Sequence, residues 1–578
     1  MKLKMNSEAR KIYRQITRKI AEKIQLKGSL QFLEKFYPTS DREEIKKRQN
    51  YLREGFARVD KSLKPLLARI KSIRFKNEFL YDRVLIVGED EYDKAVKLNV
   101  CRVETEPLRE YPLVLSKDMG IGIVIRDLTI SQIAPELYVK PLYENRQTLK
   151  TLAEIMEKTH GESIAAKILN EVEKLDEVHR RLNVIENLDE IIAEEKRSLN
   201  ERIAEKIKQY SLTLSGEELL EFLSELRHGS NDILLDKFGE LEKEILDEIL
   251  KSESNLEDIL GFSVEIFSKE NIYPVEFNRE ALLALKQELE REIAVEFYLK
   301  SREILEKIEP LIPKLEEEFR KAYELEFMRA LKEFSQEFTF PELIEGGITF
   351  INGRHLFIDD PQPISYVVGD VDVFEGIPAF RDVSGKKVVI LTGANSGGKT
   401  SLLELITQIQ ILAQMGLPVN AEKAWVDVLD EIFLFKRKRS SYKAGAFETA
   451  LRTLTRALAR DSKKKLILVD EFEAITEPGA AVKILAELLK IAHEKGFYIV
   501  IVSHLGNELK EMLDFARADG IEARGLDENL NLIVDRQPKF GVIGKSTPEL
   551  IVERLYRKTR GREKEIFERL HRVCSLNE

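Results

Sequence analysis

Ile12, Ile16, Ile20 and Ile24 recur every four residues near the start of the chain. That spacing lines apolar side chains along one face of a helix, so residues 1–80 are predicted to be helical. The pattern changes between 81 and 140, where Val84–Val87, Leu113–Leu115 and Ile121–Ile125 form short β-like runs divided by Gly88, Pro112, Gly120 and Gly122. A helical period returns after Pro141. Ile164, Ile168, Val172, Leu175, Val178 and Leu182 predict one stripe on one long helix, with more helix to about Leu250. A second long helical stretch is expected from about Arg279 to Phe338, broken or kinked at Pro310 and Pro313. Two long helices around a helical insert suggest an extended arm, and the spacing fits a compact bundle equally well. From Gly346 onward glycine and β-like runs return, which puts a domain boundary near residue 340. The expected organisation is therefore a helical region 1–80, a small mixed α/β or β segment 81–140, a long-helix region 141–340 and a further domain 341–578.

The C-terminal part carries the chemistry. Val388–Leu391 is an apolar, mainly β-branched run, and Thr392 is followed by Gly393-Ala394-Asn395-Ser396-Gly397-Gly398-Lys399-Thr400, with a helical pattern starting at Ser401. This fits G-x-x-x-x-G-K-[ST] between a strand and a helix. The glycines let backbone N–H groups close around phosphate oxygens, Lys399 can reach the β- and γ-phosphates, and the Thr400 hydroxyl can bind Mg²⁺. Leu466–Val469 is a second apolar run that ends in Asp470-Glu471. Asp470 is expected to hold the metal shell and Glu471 to orient or deprotonate the attacking water. A third run, Phe497–Val502, leads into Ser503-His504, and His504 is expected to sense or bind the γ-phosphate.

Composition narrows the class. The 578 residues are 43% hydrophobic and 34% charged, enough apolar content for a core, with more charge than the ~25% usual in globular chains. No apolar run approaches the ~18 residues of a membrane span, and Met1–Arg10 lacks the apolar core of a signal peptide. Cys101 and Cys574 lie far apart, which argues against a disulfide framework or a cysteine metal site. A cytoplasmic location and no membrane partner are expected. The formal net charge of −10 is uneven, because residues 1–80 hold 22 Lys+Arg against 9 Asp+Glu. A basic arm on an acidic body points to a polyanion, or to an intramolecular match with that body.

Gly393–Thr400 resembles the G-P-N-x-G-G-K-[ST] loop of MutS proteins, with Ala394 in place of proline. Gly416-Leu417-Pro418-Val419-Asn420-Ala421-Glu422, Asp470–Ala481 and Val502–Leu505 resemble segments of the second MutS lineage, MutS-two. Gly353-Arg354-His355-Leu356 resembles the opening of that ATPase domain, and Phe540-Gly541-Val542-Ile543-Gly544-Lys545-Ser546 resembles its late G-x-x-G-[KR]-S segment. Departures occur at Phe472-Glu473-Ala474-Ile475, where L-G-x-G is usual. They occur also at Gly445-Ala446-Phe447-Glu448, the counterpart of the S-T-F segment, and at Lys436-Arg437-Lys438-Arg439, which replaces an acidic stretch. Those four cations suit phosphates of nucleic acid or of ATP, or solvent.

The resemblance implies an ABC-type α/β P-loop ATPase domain at the C-terminus. Before it come an elongated, mainly helical lever and clamp region and a small α+β N-terminal part. It implies ATP hydrolysis with Mg²⁺, with Gly393 to Ser401 around the nucleotide, Thr400 and Asp470 on the metal, and Glu471 and His504 in catalysis. It also implies a homodimer. The target it implies is duplex or branched DNA in recombination or repair, with a ribosome- or RNA-binding ATPase as the alternative and an SMC-like structural ATPase behind both. The chain stops at Glu578 without the family's C-terminal Smr module, so no endonuclease is expected. Phe32-Leu33-Glu34 has the letters of a mismatch-reading wedge. Leu30, Leu33 and Tyr37 around it recur at helical spacing, so a packed helix is expected there instead.

Overall fold

The computed structural model describes the chain except residues 109, 118–119, 212–214, 229–231, 270–272, 372–379, 381–382, 384, 394–396, 437–444, 461–463, 472–477, 527–531, 545–547 and 576–578. At some helix and strand positions it describes the backbone alone. The chain forms two compact units. One comprises Met1–Ala68 and Arg320–Glu578, the other Arg69–Phe319.

The first unit starts with a short strand β1 (Lys4–Met5) and the helix Ser7–Ala21. Asn6 caps that helix by accepting a hydrogen bond from the Ala9 N–H, which satisfies one of the helix's unpaired donors. The isoleucine stripe faces inward as its spacing requires: Ile12, Ile16 and Ile20 are buried. Phe32 and Leu33 are buried as well, and the Phe32 ring stacks on Phe327 at 6.0 Å. The wedge-like letters thus belong to a packed helix.

The second unit holds a small sheet of β2 (Leu80–Ile86), β3 (Cys101–Glu104), β4 (Leu113–Lys117) and β5 (Ile123–Ile125). Its order is β3-β2-β4-β5 and every pairing is parallel, so this part is α/β, the first of the two forms expected for residues 81–140. Parallel strands need covered faces. One cover is the helix Arg279–Ile308, whose Tyr298 joins the buried Leu85, Val87, Leu113 and Leu115. The long helices Leu188–Gln209 and Asp232–Leu260 share a separate core that includes Leu199, Ile203, Ile245 and Leu256. The stripe from Ile164 is not one helix. Helices Ile164–Val172 and Asp176–Glu186 are joined by a tighter 3₁₀ turn at Glu173–Leu175, and Val172, Leu175 and Val178 stay buried across the join. Pro310 lies in another 3₁₀ turn, Glu309–Leu311, and Pro313 in the first turn of Ile312–Phe334, where a missing N–H costs nothing.

Back in the first unit come β6 (Glu342–Ile344), β7 (Gly347–Gly353), β8 (Ile364–Gly369), β9 (Val388–Gly393) and β10 (Lys423–Asp427). They are followed by β11 (Glu431–Phe435), β12 (Lys465–Asp470), β13 (Tyr498–Val502), β14 (Arg517–Leu526) and β15 (Leu532–Phe540). Among the described residues, a seven-stranded sheet runs β1-β11-β12-β13-β9-β14-β15 and a four-stranded one β6-β10-β7-β8. The large sheet is parallel except for the β14–β15 pair. Its central strands are buried along their whole length, which explains why they read as continuous apolar runs rather than alternating ones. Residues 1–68 are thus not a separate basic domain. Their first strand is the edge of the large sheet, paired Lys4↔Glu431 and Met5↔Ile432. No helix among the described residues is long and apolar enough to cross a membrane.

Candidate functional site

The register of three neighbouring strands assembles the site. Asp470 of β12 pairs with Val502 of β13, and Val502 pairs with Leu391 of β9. In parallel strands aligned this way, the residues just past each end meet at one edge of the sheet. Those residues are Glu471, Ser503-His504 and Thr392-Gly393.

Gly393 ends β9 at φ +113°, and a Cβ there would lie 1.9 Å from the Ile521 carbonyl oxygen. No other residue type fits. Gly398 caps the helix Lys399–Met415 in the left-handed conformation, without a side-chain cap. The first N–H groups of that helix are thereby left for a ligand, and the helix dipole adds positive potential at the same point. Lys399 is buried and its Nζ donates to the Gly393 carbonyl oxygen at 2.6 Å, across the mouth of the loop. Gly397 is buried too, whereas Ala394, Asn395 and Ser396 lie outside the described residues.

The Thr400 hydroxyl donates to Asp470 Oδ2 at 2.8 Å. Asp470 Oδ1 is buried with no hydrogen-bond partner among the described residues. Burial pushes the Asp470 carboxyl above its ordinary pKa and the Glu471 charge pushes the same way, against the pull of Thr400 and Lys399. Glu471 sits at φ +45°, a left-handed conformation that costs a non-glycine residue about 1–3 kcal/mol. Its N–H donates to the Val502 carbonyl at 3.1 Å, which holds the turn in place. The chain therefore leaves the strand at an unusual angle, and Glu471 Oε1 comes 3.3 Å from His504 Nε2. Of the predicted site residues that are described, the structure brings Gly393, Gly397, Gly398, Lys399, Thr400, Asp470, Glu471 and His504 to one edge, with Ser401 beside Thr400 in the first turn of the helix.

A second layer was not read from the sequence as a group. Glu404, one turn beyond Thr400, accepts from His355 Nε2 at 2.9 Å and pairs with Lys436. The Phe357 N–H donates to His355 Nδ1 at 3.2 Å, which leaves the proton on Nε2, facing Glu404. Burial works against the Glu404 carboxylate, but those two hydrogen bonds outweigh it and keep its pKa below the ordinary value. The first cation of the run at 436–439 is thereby tied to the loop helix. Residues 437–439 lie outside the described residues. The late segment reaches the site through its backbone: the Gly544 N–H donates to Thr392 Oγ1 at 2.7 Å. A shallow depression beside Gly398 and Ser401 is lined by Ile358, Pro361, Gln362 and Arg536. The signal for Glu404 was present in the sequence, as an acid four residues after Thr400 on one helix face, but nothing in the sequence named its partners.

Residues 389–516 match the family MutS domain V. Over 570 residues, 98% of this chain and 99% of the relative, the sequence is 55% identical to DNA-binding protein MutS2 of Pyrococcus furiosus. The chain belongs to the MutS2 family. More distant MutS2 and MutS proteins share only part of it. Endonuclease MutS2 of Clostridium botulinum is 25% identical over 48% of this chain and 33% of its own length. DNA mismatch repair protein MutS of Bacillus subtilis is 24% identical over 46% of this chain and 30% of its own length. In this MutS2 chain the matched region begins inside β9 and ends before β14, so it contains the loop, both carboxylates and His504.

Proposed function

We propose that this MutS2 protein hydrolyses ATP and binds duplex or branched DNA in recombination or repair, without base-mismatch specificity. The observation that carries the ATPase part is the convergence of Lys399, Thr400, Asp470, Glu471 and His504 on one sheet edge. Lys399 would exchange the Gly393 carbonyl for a phosphate oxygen. Thr400 and the unpartnered Asp470 oxygen form a hard oxygen donor set that suits Mg²⁺. When bound, the ion supplies positive charge against the phosphates. Glu471 would orient and deprotonate water, with His504 3.3 Å from it to sense or bind the γ-phosphate. The depression by Ile358, Pro361, Gln362 and Arg536 would take the nucleoside. The DNA part rests on the name of the Pyrococcus furiosus relative and on the basic N-terminal segment. The burial of Phe32 supports a role without a mismatch wedge at that position.

Crosslinking the protein in its own cells and sequencing the bound nucleic acid tests the target. Chromosomal DNA is the expected product, and a predominance of ribosomal RNA would sink the DNA reading in favour of a translation role.

A homodimer is part of the same proposal. The C-terminal helices Pro548–Lys558 and Arg562–Ser575 pack on each other, yet leave Ile551 45% and Ile566 61% exposed, with Leu555 and Leu570 one turn further along each. An apolar stripe of this kind is what a second copy would cover. Light scattering at micromolar protein should report twice the chain mass, and a monomer with and without ATP would rule the dimer out.

A further inference from the structure

At the β1 edge of the large sheet lies a cleft of about 420 Å³ that the ATP site does not use. Lys4 and Arg10 contribute from the N-terminal segment, and Arg456 and Arg460 from the end of the helix Gly445–Ala459 and just beyond. Thr453 and Arg456 stand at i and i+3 on one helix face, and Arg460 follows just past the helix end. Ser7, in the first turn of the helix Ser7–Ala21, borders the same space and brings the positive end of that helix's dipole with it.

The charges there are poorly neutralised. One buried carboxylate, Glu431, serves three cations: Arg460 at 3.4 Å, Lys465 at 3.6 Å and Lys4 at 3.8 Å. Lys4 and Arg460 remain 63% and 57% exposed, so those contacts are weak. Arg10 and Arg456 have no carboxylate within 4 Å among the described residues. Four cations on the walls of one cleft, with no carboxylate among its described lining residues, are chemistry for phosphate.

The cleft is also remote from the nucleotide. β11, β12 and β13 separate β1 from β9, and β1 pairs with the first residues of β11, whereas the P-loop lies past the far end of its strand. We propose that this cleft binds the phosphodiester backbone of a nucleic-acid strand. The proposal rests on the reading that the protein binds nucleic acid, and it names one place where it does so.

The test uses the full chain and a fluorescein-labelled 30-base-pair duplex, with affinity measured by anisotropy at several salt concentrations. Three forms are compared: wild type, Arg10→Ala/Arg456→Ala, and Arg10→Lys/Arg456→Lys. Each neutralised phosphate contributes about −0.9 to the slope of log K against log salt, so the alanine pair should flatten the slope by roughly two. The lysine pair should keep it, and ATP hydrolysis without DNA should be equal in all three. A wild-type slope in the alanine pair, with wild type binding duplex normally, overturns the cleft alone. Absence of salt-dependent binding by wild type overturns the DNA reading together with it. Pyrophosphate separates a strand from a free phosphate. Suppose it raises Tm in a Lys399→Ala background, the alanine pair removes that rise, and the duplex slope stays unchanged. The cleft then holds a free phosphate, and the strand assignment is wrong.

Discussion

Glu471→Ala should bind ATP as tightly as wild type and hydrolyse it at least ~10²-fold more slowly, the scale of lost general-base help. Lys399→Ala should instead lose tight ATP binding, because its ammonium is the charge aimed into the loop. The contrast follows from where the two side chains sit. Lys399 Nζ closes the loop mouth against Gly393 and lies where a phosphate oxygen would replace that carbonyl. Glu471 is carried past the strand end by a strained turn, beside His504 and adjacent to the metal-type donors Thr400 and Asp470. Filter binding of labelled ATP and phosphate release, measured on both variants, check the two halves separately. Wild-type turnover in Glu471→Ala would remove that residue from the mechanism. Unchanged ATP affinity in Lys399→Ala would mean that the loop does not hold the phosphates.

Removing residues 1–68 should destroy the ATPase unit rather than trim an arm from it. Residue pattern and charge alone set residues 1–80 apart as a basic arm on an acidic body. The structure reverses that expectation. Leu3, Ile12, Ile16, Ile20, Ile45, Leu52 and Leu67 are all buried within the unit that contains the P-loop. Each such side chain contributes about 1.5–3 kcal/mol when buried, and seven of them match or exceed the ~5–15 kcal/mol by which a domain is stable. Polar contacts run the same way. Asn6 both donates to the Leu434 carbonyl and accepts from the Leu434 N–H, and Gln49 donates to the Pro341 carbonyl at 2.9 Å. The truncated chain should be insoluble, or melt well below the full chain and turn over little ATP. Ile16→Ala in the full chain should cost about 2–5 kcal/mol by denaturant titration, as buried truncations of this kind do. A soluble truncated protein with the Tm and ATPase rate of the full chain would refute the argument.

The sequence by itself determined the local chemistry and most of the elements around it. Fully buried parallel strands read as apolar runs, so β9, β12 and β13 were visible, along with the residues at their ends. The loop before Lys399 needs glycine at Gly393 for a steric reason that leaves its mark in the letters. The isoleucine stripe, the proline breaks at 310 and 313, and the packed helix at Phe32 were legible because each rests on spacing along one element. β3 was missed, being a four-residue strand with Arg102 exposed between Cys101 and Val103. The 3₁₀ turn at Glu173–Leu175 was missed too, because its apolar stripe continues unbroken across it. Only the tertiary structure decided which distant segments share a unit. Pairing between β1 and β11 spans more than four hundred residues, and no periodicity within either segment encodes it. The same holds for Glu404, His355 and Lys436, which come from a helix, a loop and a strand end. It holds also for the four cations of the β1-edge cleft, which are unremarkable surface residues until the fold brings the N-terminal segment and the end of the helix Gly445–Ala459 to one cleft. Spacing along a chain fixes which face of an element a residue occupies; packing between elements fixes what that face meets.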